Sequence, residues 1–210
     1  MSIRVGRKVG VLISGRGSNL KSLFEAMEKG ELDAEICVVI SNREGAGGLA
    51  HAENRGVPTQ VLSHRGYSDR HEYEKELIRV LNEHGVDVVV LAGVMRILTD
   101  KFLAEYPNRV LNIHPSILPA FPGVDAQKQA FEYGVRLSGC TVHFVDEGTD
   151  SGPIIDQAVV PVLPGDDRDR LAERILVQEH RILPRALQWL LSGRLEVKGR
   201  DVILHDDGNA

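Results

Sequence analysis

The run VDVVVLAG, Val86–Gly93, decides the fold class. Its middle, Val88–Ala92, is apolar without a break and is bounded by Asp87 and Gly93. Alternation would mark a sheet with one wet face. A continuous run marks a strand covered on both faces, the grammar of a parallel sheet. Upstream, SDRHEYEKELIRVLNEHG (68–85) places Tyr73, Leu77, Val80 and Leu81 at helical spacing and stops at Gly85. Further back, KVGVLIS (8–14), AEICVVIS (34–41) and PTQVLS (58–63) read as strands. GRGSNLKSLFEAMEKG (15–30) and GAGGLAHAENRG (45–56) read as a Gly-rich turn opening a helix and as a second helix. Downstream, LTDKFLAEYP (98–107) is a short helix with Thr99 as its N-cap, and RVLNI (109–113) is the next strand. This alternation predicts an α/β fold: a doubly wound, mostly parallel twisted sheet.

After Gly123 the pattern changes. AQKQAFEYG (126–134) is a helix, and SGCTVHFVDEGTDSGPIIDQAVVPVL (138–163) reads as two strands joined by a polar loop. One long C-terminal helix follows (166–193), then LEVKGRDVIL (195–204) as a small hairpin. The expectation is a single domain over 1–204, with antiparallel C-terminal strands and a frayed tail at 205–210.

Bulk composition narrows the class. The chain has 210 residues, 42% hydrophobic and 26% charged, with a formal net charge of −5. These values suit one globular domain with a sizeable core, and the absence of a basic run argues against nucleic-acid binding. Cys37 and Cys140 lie in apolar runs and read as reduced, buried thiols. No apolar run is long enough to span a membrane, and MSIRVGRK lacks a signal-peptide core, so the expected location is cytoplasmic, without membrane contact.

Three stretches carry chemistry. In SGRGSNL (14–20), Gly15 and Gly17 permit a sharp turn, and the helix that follows aims free N–H groups at an anion, aided by Ser18 and Asn19. The third glycine of a dinucleotide fingerprint would fall at Leu20, and no Gly-Lys-Ser/Thr follows. A plain strand-to-helix turn is the bland alternative.

In VLNIHPSILPAFPG (110–123), Asn112 and His114 project from the same side of a strand end. An amide and an imidazole there suit a developing oxyanion and a moving proton. Pro115, Pro119 and Pro122 stiffen the loop beyond; the bland alternative is a strand-end histidine satisfied by backbone. In VDEGTDSGP (145–153), Asp146, Glu147 and Asp150 sit between glycines, either as a solvated acidic turn or as a carboxylate beside the imidazole, raising its pKa. His114, His143 and an acid form no recognised metal spacing, so no metal is expected.

Glu179 is the odd residue of the last helix. At about 100° per residue it lies ~40° from Ile175 and ~20° from Ala186, inside the apolar stripe. It requires a partner there, either a structural arginine or a ligand amine. Pro184 lies in the same helix and removes one backbone donor, so a kink near His180 is expected.

Together GRGSNL, LAGVMRIL, NIHPSILPAFPG, TVHFVDEGTDSGPII and VQEHRILP resemble the folate-dependent phosphoribosylglycinamide formyltransferases, over roughly Val9–Leu204. The resemblance implies a Rossmann-like formyltransferase fold and transfer of a formyl group from 10-formyltetrahydrofolate, as co-substrate, to the amine of glycinamide ribonucleotide in purine biosynthesis. No metal or ATP is implied, and a homodimer is compatible with it. It implies a catalytic trio of Asn112, His114 and Asp150. It implies substrate contacts at Gly17, Ser18, Asn19, Pro115 and Glu179. Folate contacts are implied at Arg70, Met95, Arg96, Ile97, Leu98, Asn112, Asp146, Glu147, Gly148 and Asp150, and a cis bond at Leu118–Pro119. The nucleotide phosphate would use about residues 8–105, and folate and catalysis about 106–204. Val94 replaces a common Phe, and Asp125 an expected His. A formyltetrahydrofolate deformylase and a non-catalytic folate- or nucleotide-binding module are the competing readings.

Overall fold

The computed structural model describes residues 3–94 and 97–206. Its order begins β1 (Lys8–Ile13), α1 (Ser18–Glu28), β2 (Glu35–Ser41), α2 (Gly47–Glu53) and β3 (Thr59–Val61). A 3-10 turn at His64–Gly66 precedes α3 (Arg70–Glu83), β4 (Val88–Ala92), α4 (Asp100–Glu105) and β5 (Val110–His114). Then come α5 (Ala126–Tyr133), β6 (Leu137–Phe144), β7 (Ile154–Pro161), α6 (Arg168–Leu191) and the hairpin β8 (Leu195–Lys198) and β9 (Asp201–Leu204).

The seven-stranded sheet runs β3-β2-β1-β4-β5-β6-β7. Pairs from β3 to β5 are parallel, while β5–β6 and β6–β7 are antiparallel. The continuous apolar run makes β4 a central strand whose residues are all buried. Val88 and Val90 join the core under α1, α2 and α6; Val89 and Leu91 join the one under α3 and α4. Period-two alternation is present, but both faces are dry.

The chain builds outward from β1 to β3, then returns to place β4 on the other side of β1. That reversal is a topological switch point, where open α/β sheets leave a crevice at the carboxyl ends of their strands. Thr99 caps α4 through its hydroxyl, which accepts from Phe102 N. Helix α6 continues as one element through Pro184. The Leu118–Pro119 bond is cis. Met95, Arg96 and the tail residues 207–210 lie outside the described residues. Among the described residues no helix is long and apolar enough to cross a membrane.

Candidate active site

A cleft opens over the ends of β1, β4 and β5, in two halves of about 540 Å³ each that share Arg16, Asn19, Gly93, Gln127 and Glu179. One half is built on the glycine turn. Gly17 has φ 73°, and a Cβ there would sit 2.4 Å from Gly48 Cα. Gly48 N donates to Gly15 O at 3.0 Å, so the turn is pressed against the start of α2. Only glycine serves at position 17, for both reasons. Gly17, as N-cap of α1, makes no side-chain cap bond, and the first turn has no acid, so its N–H groups face an anion-compatible end. Ser18 lines this half beside Gly15 and Arg16; Asp169 and Glu173 stand on its α6 side.

Glu179 is 6% exposed and lines both halves. Its partner within the protein is not an arginine: Asn19 Nδ2 donates to Glu179 Oε2 at 2.8 Å. Burial pushes the Glu179 carboxyl up, and the Asn19 bond only partly offsets it. Asn19 Oδ1 is buried without a hydrogen-bond partner. Asn19 Oδ1 is thus an acceptor open to an incoming N–H or O–H group.

The other half centres on Asp150, whose carboxylate is a hub. Oδ2 lies 3.2 Å from His114 Nδ1 and accepts from Gly123 N at 2.8 Å. Oδ1 accepts from Asn112 Nδ2 at 3.3 Å and lies 3.6 Å from His143 Nε2. The loop reaches inward because Asp150 itself takes φ 52°, a left-handed conformation that aspartate tolerates better than most residues. Asp146 turns the other way, accepting from Gly148 N at 3.1 Å and Ser151 Oγ at 2.7 Å. Burial alone would raise the Asp150 carboxyl. The contacts with His143, Gly123 N and His114 outweigh it and hold the group below the ordinary range.

His143 has no role in the folate or phosphate motifs, yet it stands directly across the β5–β6 ladder from Asn112. Its Nδ1 lies 2.8 Å from the Phe144 carbonyl, which can only accept, so Nδ1 carries the hydrogen. In the neutral ring Nε2 then accepts from Asn112 Nδ2 at 3.1 Å. That bond sets the amide orientation: Asn112 presents its NH2 edge to the hub. The cross-strand register was the available signal, since a buried and a half-buried polar residue opposite each other on a sheet face seldom lack a shared bond. Beyond β5 the proline loop is pinned as well as stiff. Thr141 Oγ1 donates to Ser116 O at 2.7 Å and accepts from Leu118 N at 3.1 Å.

Asp150 acts on His114 in the direction the sequence suggests, raising its pKa, but it is not the largest influence on the ring. The ring is 4% exposed, and burial is the largest influence on it; with the Phe121 carbonyl and Asp150 opposing and His143 assisting, its pKa falls below the ordinary histidine value. Its Nε2 lies 2.9 Å from Phe121 O and its Nδ1 faces Asp150, so only the imidazolium could bond both acceptors. Desolvation opposes that complementarity and favours the neutral ring. In an NMR titration of the free protein, the His114 Cε1–H resonance should move with a midpoint below about 6.5. Asp150→Asn removes an influence that raises the value, so the midpoint should fall further. A midpoint above about 6.5 would contradict the burial argument. The folded state also binds fewer protons here than the unfolded chain just below that pH, so this group's contribution makes stability rise with pH through the window.

Of the sequence candidates, Gly17, Ser18, Asn19 and Glu179 line the first half, and Ile97, Asn112, His114, Pro115, Gly148 and Asp150 the second. Arg70 is exposed at the first position of α3, Leu98 is buried, Glu147 is exposed, and none of these nor Asp146 lines the cleft. Val94 and Asp125 line the second half, and Asp125 lies 3.5 Å from Arg168. Met95 and Arg96 fall outside the described residues.

Residues 7–187 match the family model described as formyl transferase. The chain is 43% identical, over 89% of its length and 88% of the relative's, to the phosphoribosylglycinamide formyltransferase of Escherichia coli K12. It is 51% identical over 90% of its length to the trifunctional purine biosynthetic protein adenosine-3 of Drosophila pseudoobscura, of which it spans 14%. The crystal structure of glycinamide ribonucleotide transformylase 1 from Symbiobacterium toebii superposes with a TM-score of 0.94 at 47% identity, covering 96% of this chain and 95% of that one.

Proposed function

The chain belongs to the formyl transferase family, and on that footing we propose that its cleft transfers the formyl group of 10-formyltetrahydrofolate to the amine of 5-phosphoribosylglycinamide, a step of de novo purine synthesis. The observation that carries this reading is the meeting of Asn112, His114 and Asp150 in the second half of the cleft.

The nucleotide binds in the first half. Its phosphate takes the N–H groups at the start of α1 near Gly17, Ser18 and Asn19, with Arg16 adding charge. Glu179 and Asn19 Oδ1 receive donors from the rest of the molecule, including the amine. Pteridine and formyl group enter the second half, past Val94, Ile97 and Gly148. Residues 8–105 thus carry the phosphate loop and, through Val94 and Ile97, part of the formyl-folate half, while 106–204 carry the trio and Glu179. The same reading places Met95 and Arg96 beside the pteridine, Leu98 behind it, and Arg70, Asp146 and Glu147 toward the folate rim. Two free thiols, Cys37 and Cys140, fit a cytoplasmic enzyme.

The neutral amine attacks the formyl carbon, a C–N bond forms, and the carbonyl electrons move to oxygen. Asn112 Nδ2 donates to that oxyanion. Its bond to Asp150, at 3.3 Å, is long for N–H···O and is the one a formyl oxygen takes over. His114 accepts a proton from the attacking nitrogen, and Asp150 stabilises the imidazolium as it forms. The tetrahedral species collapses, the bond to the folate nitrogen breaks, and the proton passes to that nitrogen.

Mixing the protein with 10-formyltetrahydrofolate should release tetrahydrofolate only when the ribonucleotide is added. Release without it would indicate a deformylase, and no release in either case a binding module.

Glu179→Gln separates binding from stability. The neutral amide removes a buried charge, and its NH2 can bond the unpartnered Asn19 Oδ1. The variant should melt about 2–4 °C higher, equivalent to ~1 kcal/mol in a domain of this size, while KM for the ribonucleotide rises about tenfold, or ~1.4 kcal/mol. A lower melting temperature would refute the assignment of an unrelieved buried carboxylate.

A further inference from the structure

Glu74 is a carboxylate where the fold does not ask for one. It lies in the second turn of α3, 3% exposed, on the face that packs against α4 and the core beneath it. Removing a carboxylate from water there is costly unless its oxygens are bonded. Both oxygens are bonded, and to one residue. Thr99 N donates to Oε1 at 3.1 Å and to Oε2 at 3.2 Å, and the Thr99 hydroxyl donates to Oε2. The same hydroxyl accepts from Phe102 N and caps α4.

Thr99 ends the connection from β4 to α4. That connection carries Val94 and Ile97, which line the formyl-folate half of the cleft. Ile97 is 41% exposed toward that space and Leu98 is 4% exposed in the core. The cleft wall is therefore anchored at one end by the last strand residue, Ala92, and at the other by a bidentate grip from a different helix. A helix capped only by its own threonine would be free to fray; a charge-assisted clamp on the backbone N–H removes that freedom.

From this geometry, and resting on the formyl-transfer reading above, we propose that Glu74 is a positioning residue for the formyl donor: through Thr99 it holds Ile97, and with it Val94, where they line the space that seats the pteridine. It touches neither substrate nor the reacting atoms. Arg70, one helical turn before it on the same face, is carried on the same rigid support.

The assignment demands a split in kinetic constants. The phosphate loop follows β1, and the trio stands on β5 and the β6–β7 loop, so loosening the wall should spare them. In Glu74→Ala and Thr99→Val, KM for 10-formyltetrahydrofolate should rise about tenfold, while KM for the ribonucleotide and kcat at saturation stay within twofold of wild type. Thr99→Ser, which keeps the hydroxyl donor and the helix cap, should restore donor KM. Thr99→Val decides the matter should Glu74→Ala fail to fold. A parallel loss in both KM values and kcat, or a donor KM unchanged in folded variants, overturns the clamp. Absence of transfer by the wild-type protein would instead overturn the functional reading.

Discussion

Asp150→Ala should lower kcat by about 10³ or more, with the ribonucleotide KM changing little. Among the described residues of the cleft, no other side chain faces so many polar groups of the reaction centre. His114 Nδ1, Asn112 Nδ2 and Gly123 N converge on its two oxygens within 3.3 Å, and His143 Nε2 follows at 3.6 Å. Loss of the carboxylate acts twice. It removes the charge that compensates the imidazolium when His114 accepts the amine proton, a general acid–base contribution typically of 10²–10⁴. It also frees Gly123 N, which ties the end of the proline loop to the acidic loop. Burial already pushes His114 toward neutrality, so losing the carboxylate 3.2 Å from its ring leaves the imidazolium uncompensated. Steady-state kinetics at saturating donor check the expectation. A kcat within tenfold of wild type would show that Asp150 is a structural pin for the loop and no more.

Asn112→Ala should lower kcat by about 10²–10³, the usual effect of deleting one oxyanion donor, with modest effect on either KM. The amide is prepared for this by His143, whose tautomer is set by the Phe144 carbonyl and whose Nε2 holds one N–H of Asn112. Only the second N–H, now spent on a long contact to Asp150, needs to be redirected when substrate arrives. Little rearrangement is left for the moment of reaction, the sense in which such a site is preorganised. Asn112→Asp is informative beside it: a carboxylate of the same shape offers no N–H and should be no better than alanine. Turnover at the wild-type rate in Asn112→Ala would remove the amide from the mechanism.

Much of this architecture was legible in residues alone, for definite reasons. An unbroken apolar strand has few homes other than a doubly covered sheet, and Val86–Gly93 occupies the centre of one. Thr99, Gly85 and Gly134 punctuate helices by local chemistry, which no tertiary contact overrides here. Glu179 declared itself by breaking an apolar stripe. What stayed hidden depends on long-range pairing. His143 acquires meaning only when the β5–β6 register sets it opposite Asn112. Glu74 looks like an ordinary helix acid until α3 packs beside Thr99. Three acids share one loop, and only a left-handed turn at Asp150 decides which of them enters the cleft. The net shift of His114 was not legible because a neighbouring charge is visible in sequence and burial is not.

The claim on which the chemistry rests is that amide, imidazole and carboxylate act as one unit around one oxygen. A double-mutant cycle on kcat for Asn112→Ala and Asp150→Ala tests this directly. Residues that share a catalytic step are strongly non-additive, so the double variant should be scarcely slower than Asp150→Ala alone. If the two losses instead multiply, giving a combined fall near 10⁵ or more, Asn112 and Asp150 work independently and the shared hub is not the origin of the rate.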